Sequence, residues 1–359
     1  MDASRWQQAS RLLCVRLDQV GDVLMTTPAI RALKDSAPGR HVTLLTSPAA
    51  AEAARLIPEV DAVLTYDAPW MKATEPRSSP EPDFRFIETL RAGGFDAAII
   101  FTVYSQSPLP AAMACYLAGI PLRLAHCHEN PYQLLTDWVP DPERALEPRH
   151  EVQRQLDLVA SVGCRTDDER LSLQVPAESR PSVLRRLFAE GVDIECPWIA
   201  VHPGASAPSR RYPPPLYAAA LRELVGKRRL QVVLTGSSDE AALCDEVRLL
   251  SDVEMVSLAG KLRFAELAAV IEAAPLLLAN NTGPVHVAAA VGTPVVDIYA
   301  LTNPQHTPWQ VPNRVLSHDV PCRNCYKSVC PLGHGNCLAL IEPREVVEAV
   351  LGLLGEACR

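Results

Sequence analysis

The residues best suited to chemistry lie in polar turns that follow apolar, strand-like runs. The turn NNTGP at residues 280–284 lies between a buried run and an alanine-rich segment. Pro284 suits the first turn of a helix, where its missing N–H costs nothing, and free N–H groups at such a helix start attract phosphate. The pattern predicts an anion-binding helix start at Thr282 and Gly283, with an ordinary β-α turn as the alternative.

An acid follows the first predicted strand in the same way. Residues 12–17 form the strand pattern, and a polar turn then leads into a helix predicted to continue to about Lys34. Gly21 permits backbone conformations closed to other residues, which would bring the chain close to a ligand and direct Asp22 toward the strand ends. Asp22 is therefore a candidate general base. A helix-capping role without chemistry is the alternative.

Two arginines come directly after another glycine turn. This turn contains Gly204 and Ser206 and follows the strand predicted at residues 198–202, and Arg210 and Arg211 lie just beyond it. Paired guanidinium groups can bind a diphosphate bidentately. A solvated basic loop is the alternative.

Short apolar runs alternate with helical patterns along the whole chain, which predicts α/β architecture with parallel sheets covered by helices. The chain has 359 residues, which is enough for two domains. We predict that the first domain spans residues 1–175 and the second residues 176–359. The second half has three polar turns at strand ends, at 202–206, at Gly236 and at 280–284. Ligands bind at such ends in doubly wound sheets, so the second domain is expected to hold a nucleotide.

Composition narrows the class of protein. Hydrophobic residues make up 48% of the chain, and 42 acidic residues exceed 34 Lys and Arg, giving a formal net charge of -8. Such a balance disfavours nucleic acid as a partner. The chain shows neither the GxGxxG fingerprint nor a P-loop. Its start lacks the apolar core of a signal peptide, and no apolar run approaches a membrane span, so we expect a cytoplasmic protein.

A cysteine-rich segment at residues 322–337 contains Cys322, Cys325, Cys330 and Cys337. Four thiols within so short a stretch, in a reducing compartment, favour a structural Zn or Fe site with four protein ligands. Two disulfides, redox-active thiols or plain loop cysteines are the alternatives.

Taken together, these motifs resemble glycosyltransferase family 9, the ADP-heptose:lipopolysaccharide heptosyltransferase-like proteins. The resemblance spans nearly the whole chain. It is carried, in order, by RLDQVGDVLMTTPAIRALK (residues 16–34), VHPGASAPSRRYPP (201–214), LTGSSDE (234–240) and NNTGPVHVAAAVGTPVV (280–296). The resemblance implies a GT-B fold, with two Rossmann-like domains whose parallel sheets face a central cleft. The first domain would bind the acceptor and the second the nucleotide-sugar donor.

The resemblance also implies roles for individual residues. Asp22 matches the acid taken as the base that deprotonates the acceptor hydroxyl, and Arg210 stands where members often have Lys beside the donor diphosphate. Many heptosyltransferases carry Asp where this chain has Asn281, which leaves the donor sugar open. The expected donor-binding residues are Gly21, Gly204, Ser206, Arg211, Gly236, Asn281, Thr282, Gly283, Pro284 and His286.

The implied activity is inverting transfer of a sugar, heptose from ADP-heptose, to a hydroxyl of a saccharide or glycolipid such as lipopolysaccharide core. No catalytic cofactor is expected. A glycolipid acceptor would bring the protein into peripheral contact with the inner membrane, and the sequence does not fix an oligomeric state. The alternatives are a catalytically inactive sugar-nucleotide-binding or assembly module and a transferase that uses another nucleotide sugar.

Overall fold

The structure is a computed structural model that describes residues 3–72, 74–141 and 149–357. Within these residues the chain forms two compact units, which divide between Leu173 and Gln174. Each unit has its own parallel β-sheet. Parallel sheets joined by helices confirm the predicted α/β class.

The first unit is built on a six-stranded parallel sheet. Its strands are β1 (Arg11–Arg16), β2 (His41–Thr46), β3 (Ala62–Thr65), β4 (Ala97–Ile100), β5 (Leu122–Cys127) and β6 (Asp137–Pro140). Their spatial order is β3-β2-β1-β4-β5-β6, so the strand order reverses between β1 and β4. In open α/β sheets, ligands bind beyond the carboxyl ends of the strands at such a switch point.

Helices connect these strands. They are α1 (Ala3–Gln8), α2 (Val20–Met25), α3 (Thr27–Asp35), α4 (Ala51–Ala54), α5 (Glu81–Ala92), α6 (Leu109–Leu117) and α7 (Glu151–Ala160). Residues 12–15 of β1 are at most 1% exposed. Such burial is expected of a central parallel strand that is covered on both faces.

The second unit repeats the arrangement. Its strands are β7 (Trp198–His202), β8 (Gln231–Leu234), β9 (Val256–Ser257), β10 (Leu277–Asn280), β11 (Val295–Ile298) and β12 (Asn313–Leu316). Its helices are α8 (Ser179–Ala189), α9 (Pro214–Arg228), α10 (Ala241–Ser251), α11 (Phe264–Ala273), α12 (Gly283–Val291), α13 (Asn336–Ala339) and α14 (Pro343–Ala357). The spatial order is β12-β11-β10-β7-β8-β9, so the switch point lies between β7 and β10.

Local structure differs from the prediction after the first strand. The predicted single helix is two helices, α2 and α3, with Thr26 between them. The break has a local cause, because Pro28 lies in the first turn of α3 and has no N–H to donate. The Thr26 hydroxyl donates to the Asp22 carbonyl at 2.8 Å and closes the last turn of α2.

Among the residues that the structure describes, none of the helices is long and apolar enough to cross a membrane.

Helix α12 ends at Gly292, whose φ of +84° is left-handed. A Cβ atom at this position would meet nothing within 4 Å, so Gly292→Ala isolates the cost of the backbone conformation. We expect it to lower the free energy of unfolding by roughly 1 kcal/mol, measured by urea denaturation.

The matched control is Gly226→Ala. Gly226 lies inside α9, also meets nothing within 4 Å and does not have a positive φ. Alanine is favoured there, so we expect this variant to gain roughly 0.5 to 1 kcal/mol. Equal effects of the two substitutions would contradict the assignment of Gly292 as a left-handed cap.

Candidate active site

At the end of β1, a buried arginine side chain forms ion pairs with three acidic side chains. The Arg16 side chain is 0% exposed, and its Nε lies 3.0 Å from Asp18 Oδ2. Its Nη2 lies 3.2 Å from Asp22 Oδ1, and its Nη1 lies 3.0 Å from Glu151 Oε1. A buried charge is tolerated only when it is paired, so Arg16 requires these carboxylates around it.

Asp22 lies in the first turn of α2, with its side chain 18% exposed. One carboxylate oxygen contacts Arg16, and the other accepts a hydrogen bond from the Gln19 backbone N–H at 3.3 Å. The carboxylate therefore has the capping contact that the sequence offered as an alternative to chemistry. Its partial exposure leaves it accessible to an acceptor, and the base role stays a proposal.

Gly21 does not adopt the unusual backbone conformation expected of it. It is buried within α2 and is not among the described glycines with positive φ. That expectation was wrong, because residues 20–25 are helical and a helix needs only ordinary φ values.

Asp18 faces a cavity of about 340 Å³ at the switch point of the first unit. Trp70, Met71 and Phe101 contribute apolar walls, and Gln106 donates from Nε2 to Asp18 Oδ1 at 2.6 Å. Burial raises the pKa of Asp18 to about 6, although the Arg16 charge opposes the shift. This cavity combines aromatic and carboxylate groups, which suits a hydroxylated ring.

The acid cluster continues into α7. Glu151 Oε1 accepts from Gln155 Nε2 at 2.8 Å and lies 3.8 Å from Arg154 Nη1. Arg154 in turn pairs with Asp141 at 2.6 Å. Sequence reasoning missed these residues, because nothing near Glu151 in the chain points to a partner as distant as Arg16.

In the second unit, an asparagine joins the two turns at the switch point. Asn280 is the last residue of β10, and its Nδ2 donates to the carbonyls of Pro203 at 2.6 Å and Gly204 at 3.3 Å. Its Oδ1 accepts from the Tyr212 N–H at 3.0 Å. The turn after β7 is thereby fixed beside the helix start at Thr282. The sequence showed both turns but not the bonds that join them.

Gly204 leaves room for the side chain of a neighbouring acid. A Cβ atom here would lie 2.1 Å from Glu240 Oε1. Glu240 Oε2 accepts from the Ser237 N–H at 2.8 Å and from the Ser237 hydroxyl at 3.1 Å, which holds the turn after β8. Gly236 lies in that turn, where a Cβ atom would lie 3.2 Å from Glu240 Cβ. Both predicted glycines therefore make room for Glu240, a residue given no role from the sequence.

The two predicted arginines have different environments. Arg211 Nε donates to the Ala205 carbonyl at 2.7 Å, so this side chain stabilises the turn itself. Arg210 ends a short 3₁₀ turn, is partly exposed, and its charge opposes a rise in the pKa of Tyr299. Ser206 is exposed. Arg210 is thus the better placed of the pair to meet an anion.

The predicted helix start at α12 is present. Thr282 is its N-cap residue with φ −154°, and its side chain makes no capping hydrogen bond. Gly283 and Pro284 begin the helix, and His286 is buried within it. The first N–H groups of a helix have no intrahelical acceptor, so this end retains its affinity for an anion.

The cysteine segment was predicted to hold a metal ion, and the described residues show no such site there. Among the described residues, no group of three or more His, Cys, Asp or Glu side chains is arranged to hold a metal ion. Cys322 Sγ lies 3.9 Å from His334 Nε2, while backbone N–H groups of residues 332–335 lower the pKa of Cys330. Cys325 and Cys337 are, like Cys322 and Cys330, free thiols, so no disulfide joins these four cysteines in the structure.

The same segment supports the arginine turn instead. The Ser209 N–H donates to the Ser328 carbonyl at 3.1 Å, and its hydroxyl donates to the Lys327 carbonyl at 2.8 Å. Asn324 and Tyr326 donate from their backbone N–H groups to residues 301 and 302. These bonds fix the segment beside the residue that precedes Arg210.

Comparison with known proteins gives a consistent result. A model of glycosyltransferase family 9 (heptosyltransferase) matches residues 84–335. Lipopolysaccharide heptosyltransferase 3 of Escherichia coli K12 is 26% identical over 300 residues, covering 81% of this chain and 82% of that protein. Lipopolysaccharide heptosyltransferase 2 of the same strain is 27% identical over 282 residues, covering 74% and 77%.

Solved structures show the same architecture. A glycosyl transferase family 9 protein from Veillonella parvula superposes with a TM-score of 0.82 at 21% identity, covering 99% of this chain and 98% of that one. The E. coli ADP-heptose lipopolysaccharide heptosyltransferase II gives 0.77 at 22% identity, covering 97% and 100%. These likenesses confirm the GT-B fold class.

The environment of Asp18 predicts a pH dependence of stability. Its folded pKa is about 6, above the ordinary value of 3.8. Between these values the unfolded chain loses the proton first, so stability falls as pH rises, with a slope of at most about 1.4 kcal/mol per pH unit. We expect Asp18→Asn to remove this contribution, so that its stability relative to the wild type increases from pH 4 to pH 6.5. Urea denaturation at each pH measures it. A constant difference across this range would contradict the assignment.

Proposed function

The chain belongs to glycosyltransferase family 9 (heptosyltransferase), and we propose that it transfers heptose from ADP-heptose to a hydroxyl of a saccharide or glycolipid such as lipopolysaccharide core. The observation that carries this proposal is the pair of turns that Asn280 joins at the switch point of the second unit. They bring Arg210 and the start of α12 to the strand ends where a nucleotide diphosphate binds in this architecture.

The second unit is the proposed donor-binding domain, and the first the acceptor-binding domain. The N–H groups at Thr282 and Gly283 and the guanidinium of Arg210 supply the positive potential that a diphosphate needs. Two relatives whose names specify lipopolysaccharide heptosyl transfer support the choice of sugar and acceptor.

The first unit offers both an acid and a cavity for the acceptor. Asp22 removes the proton of the acceptor hydroxyl as that oxygen attacks the anomeric carbon from the face opposite the diphosphate, which inverts the configuration. The cavity beside Asp18, with Trp70 and Phe101 in its walls, is the proposed seat of an acceptor sugar ring. We also propose that the protein is cytoplasmic. A glycolipid acceptor would bring it into peripheral contact with the inner membrane.

Negative charge grows on the departing diphosphate as the glycosidic bond breaks. Arg210 and the start of α12 stabilise this charge more strongly in the transition state than in the ground state, which is the condition for accelerating the reaction. The proposed mechanism therefore assigns the leaving-group role to a cation and a helix start, without a catalytic cofactor.

A second candidate is a module that binds sugar nucleotides without transferring the sugar. Two features favour it: the family resemblance implies an acid where this chain has Asn281, and Asp22 already accepts the capping hydrogen bond of α2. Release of nucleotide diphosphate distinguishes the two, since a module binds the donor and releases none.

Asp22→Asn tests the base. The amide keeps the size of the side chain and an oxygen for Arg16 but cannot take a proton. We expect turnover to fall by at least about 100-fold with little change in donor affinity, measured by release of ADP from ADP-heptose with acceptor present.

Asp245→Asn is the matched control, because Asp245 is an exposed acid on α10. It should retain wild-type turnover. If Asp22→Asn stays within a factor of about three of the wild type, the base assignment is wrong.

Substitutions that keep or remove the positive charge of Arg210 test its proposed role at the leaving diphosphate. Arg210→Lys keeps a cation and should retain turnover within roughly tenfold, whereas Arg210→Gln should lower kcat by about 10²- to 10³-fold because the leaving diphosphate loses its counter-charge. Steady-state kinetics separates kcat from KM. Arg344→Gln, at an exposed cation on α14, is the control. Similar kcat values for Arg210→Gln and the control would refute the role.

A further inference from the structure

Asp297 is a buried acid beside the proposed donor turn. It lies in β11, is 0% exposed, and its Oδ2 accepts from Asn281 Nδ2 at 2.9 Å. Its Oδ1 has no hydrogen-bond partner among the residues that the structure describes. Burial raises the pKa of Asp297 to about 8, which favours its protonated, neutral form. A buried, incompletely bonded carboxyl group costs stability, which suggests a role beyond packing.

The contacts of Asn281 fix which way its amide faces. Its Nδ2 also donates to the His306 backbone carbonyl at 2.8 Å. A carbonyl oxygen can only accept, so the nitrogen and not the oxygen must face it. Both amide hydrogens are thus used inside the unit. With both hydrogens of Nδ2 donated to these two acceptors, Oδ1 is the atom of this side chain that can accept a hydrogen bond.

We propose that Asp297 is a positioning residue for donor-sugar recognition: it holds Asn281 so that the side-chain oxygen accepts a hydrogen bond from a sugar hydroxyl. The inference rests on the proposed function, which places the turn of residues 280–284 at the sugar diphosphate. The family resemblance implies Asp at this position in many heptosyltransferases, and a carboxylate oxygen can also accept a hydrogen bond. Asp297 thereby gives a neutral amide the acceptor character of that acid without adding negative charge beside the diphosphate.

The measured quantity is the sugar increment, defined as the Kd for ADP divided by the Kd for ADP-heptose. Calorimetry gives both constants. If the donor is not ADP-heptose, the sugar increment is measured in the same way with GDP and a GDP-sugar or with UDP and a UDP-sugar. A general loss of structure changes both affinities, whereas a misplaced Asn281 oxygen changes only the binding of the sugar.

Two substitutions of Asp297 are compared. Asp297→Leu removes the acceptor and should lower the sugar increment roughly fivefold or more, the effect of one neutral hydrogen bond. Asp297→Asn retains an oxygen for Asn281 and should stay within about twofold of the wild type. Val296→Ala, a buried neighbour in β11, is the control for lost packing and should leave the sugar increment unchanged.

A double-mutant cycle shows whether Asp297 acts through Asn281. Asn281→Ala should lower the sugar increment by a similar factor, and Asp297→Leu should then have no further effect in that background. Independent effects of the two changes, or a wild-type sugar increment in Asp297→Leu, would overturn the inference. A wild type that binds no nucleotide sugar would instead refute the proposed function, and this inference with it, so the two failures are distinguishable.

Discussion

Burial of the Arg16 guanidinium is the constraint on which the acidic site of the first unit depends. Removing an ion from water costs several kcal/mol, and the cost is offset only by close, well-oriented partners. Asp18, Asp22 and Glu151 all lie within 3.2 Å of this side chain. Glu151 stands 135 residues further along the chain. The position of Asp22 therefore depends on α7 as well as on its own turn. A substitution that disturbs α7 would also displace Asp22, the proposed base.

The second unit uses neutral amides where the first uses ions. Asn280 joins the two turns through backbone carbonyls, and Asn281 is held by Asp297 and the His306 carbonyl. Amides supply donors and acceptors without the desolvation cost of a charge. Because these asparagines carry no negative charge, they do not offset the positive potential of Arg210 and of the helix start beside the proposed diphosphate site.

The sequence predicted features that neighbouring residues define, and it missed contacts between residues that are distant along the chain. The turns at residues 18–22 and 280–284 were found because strand and helix patterns on either side define them within a few residues. The partners Glu151 and Asp297 were not, because each meets its site through the fold and no neighbouring residue indicates the contact. The cysteines show the converse, since four thiols close in sequence do not form a metal-ligating group in the part of the chain that the structure describes. Distances between side chains depend on loop conformation, and spacing alone does not determine it.

The central claim is that this chain moves a sugar from a nucleotide diphosphate to a hydroxyl. The most direct measurement follows ADP release and glycoside formation together, with ADP-heptose as donor and lipopolysaccharide-core acceptors. We predict equal amounts of ADP and of a new glycoside, whose anomeric configuration, read by NMR, is opposite to that of the donor. Binding of ADP-heptose without release of ADP in any acceptor mixture, or retention of the anomeric configuration, would contradict the account.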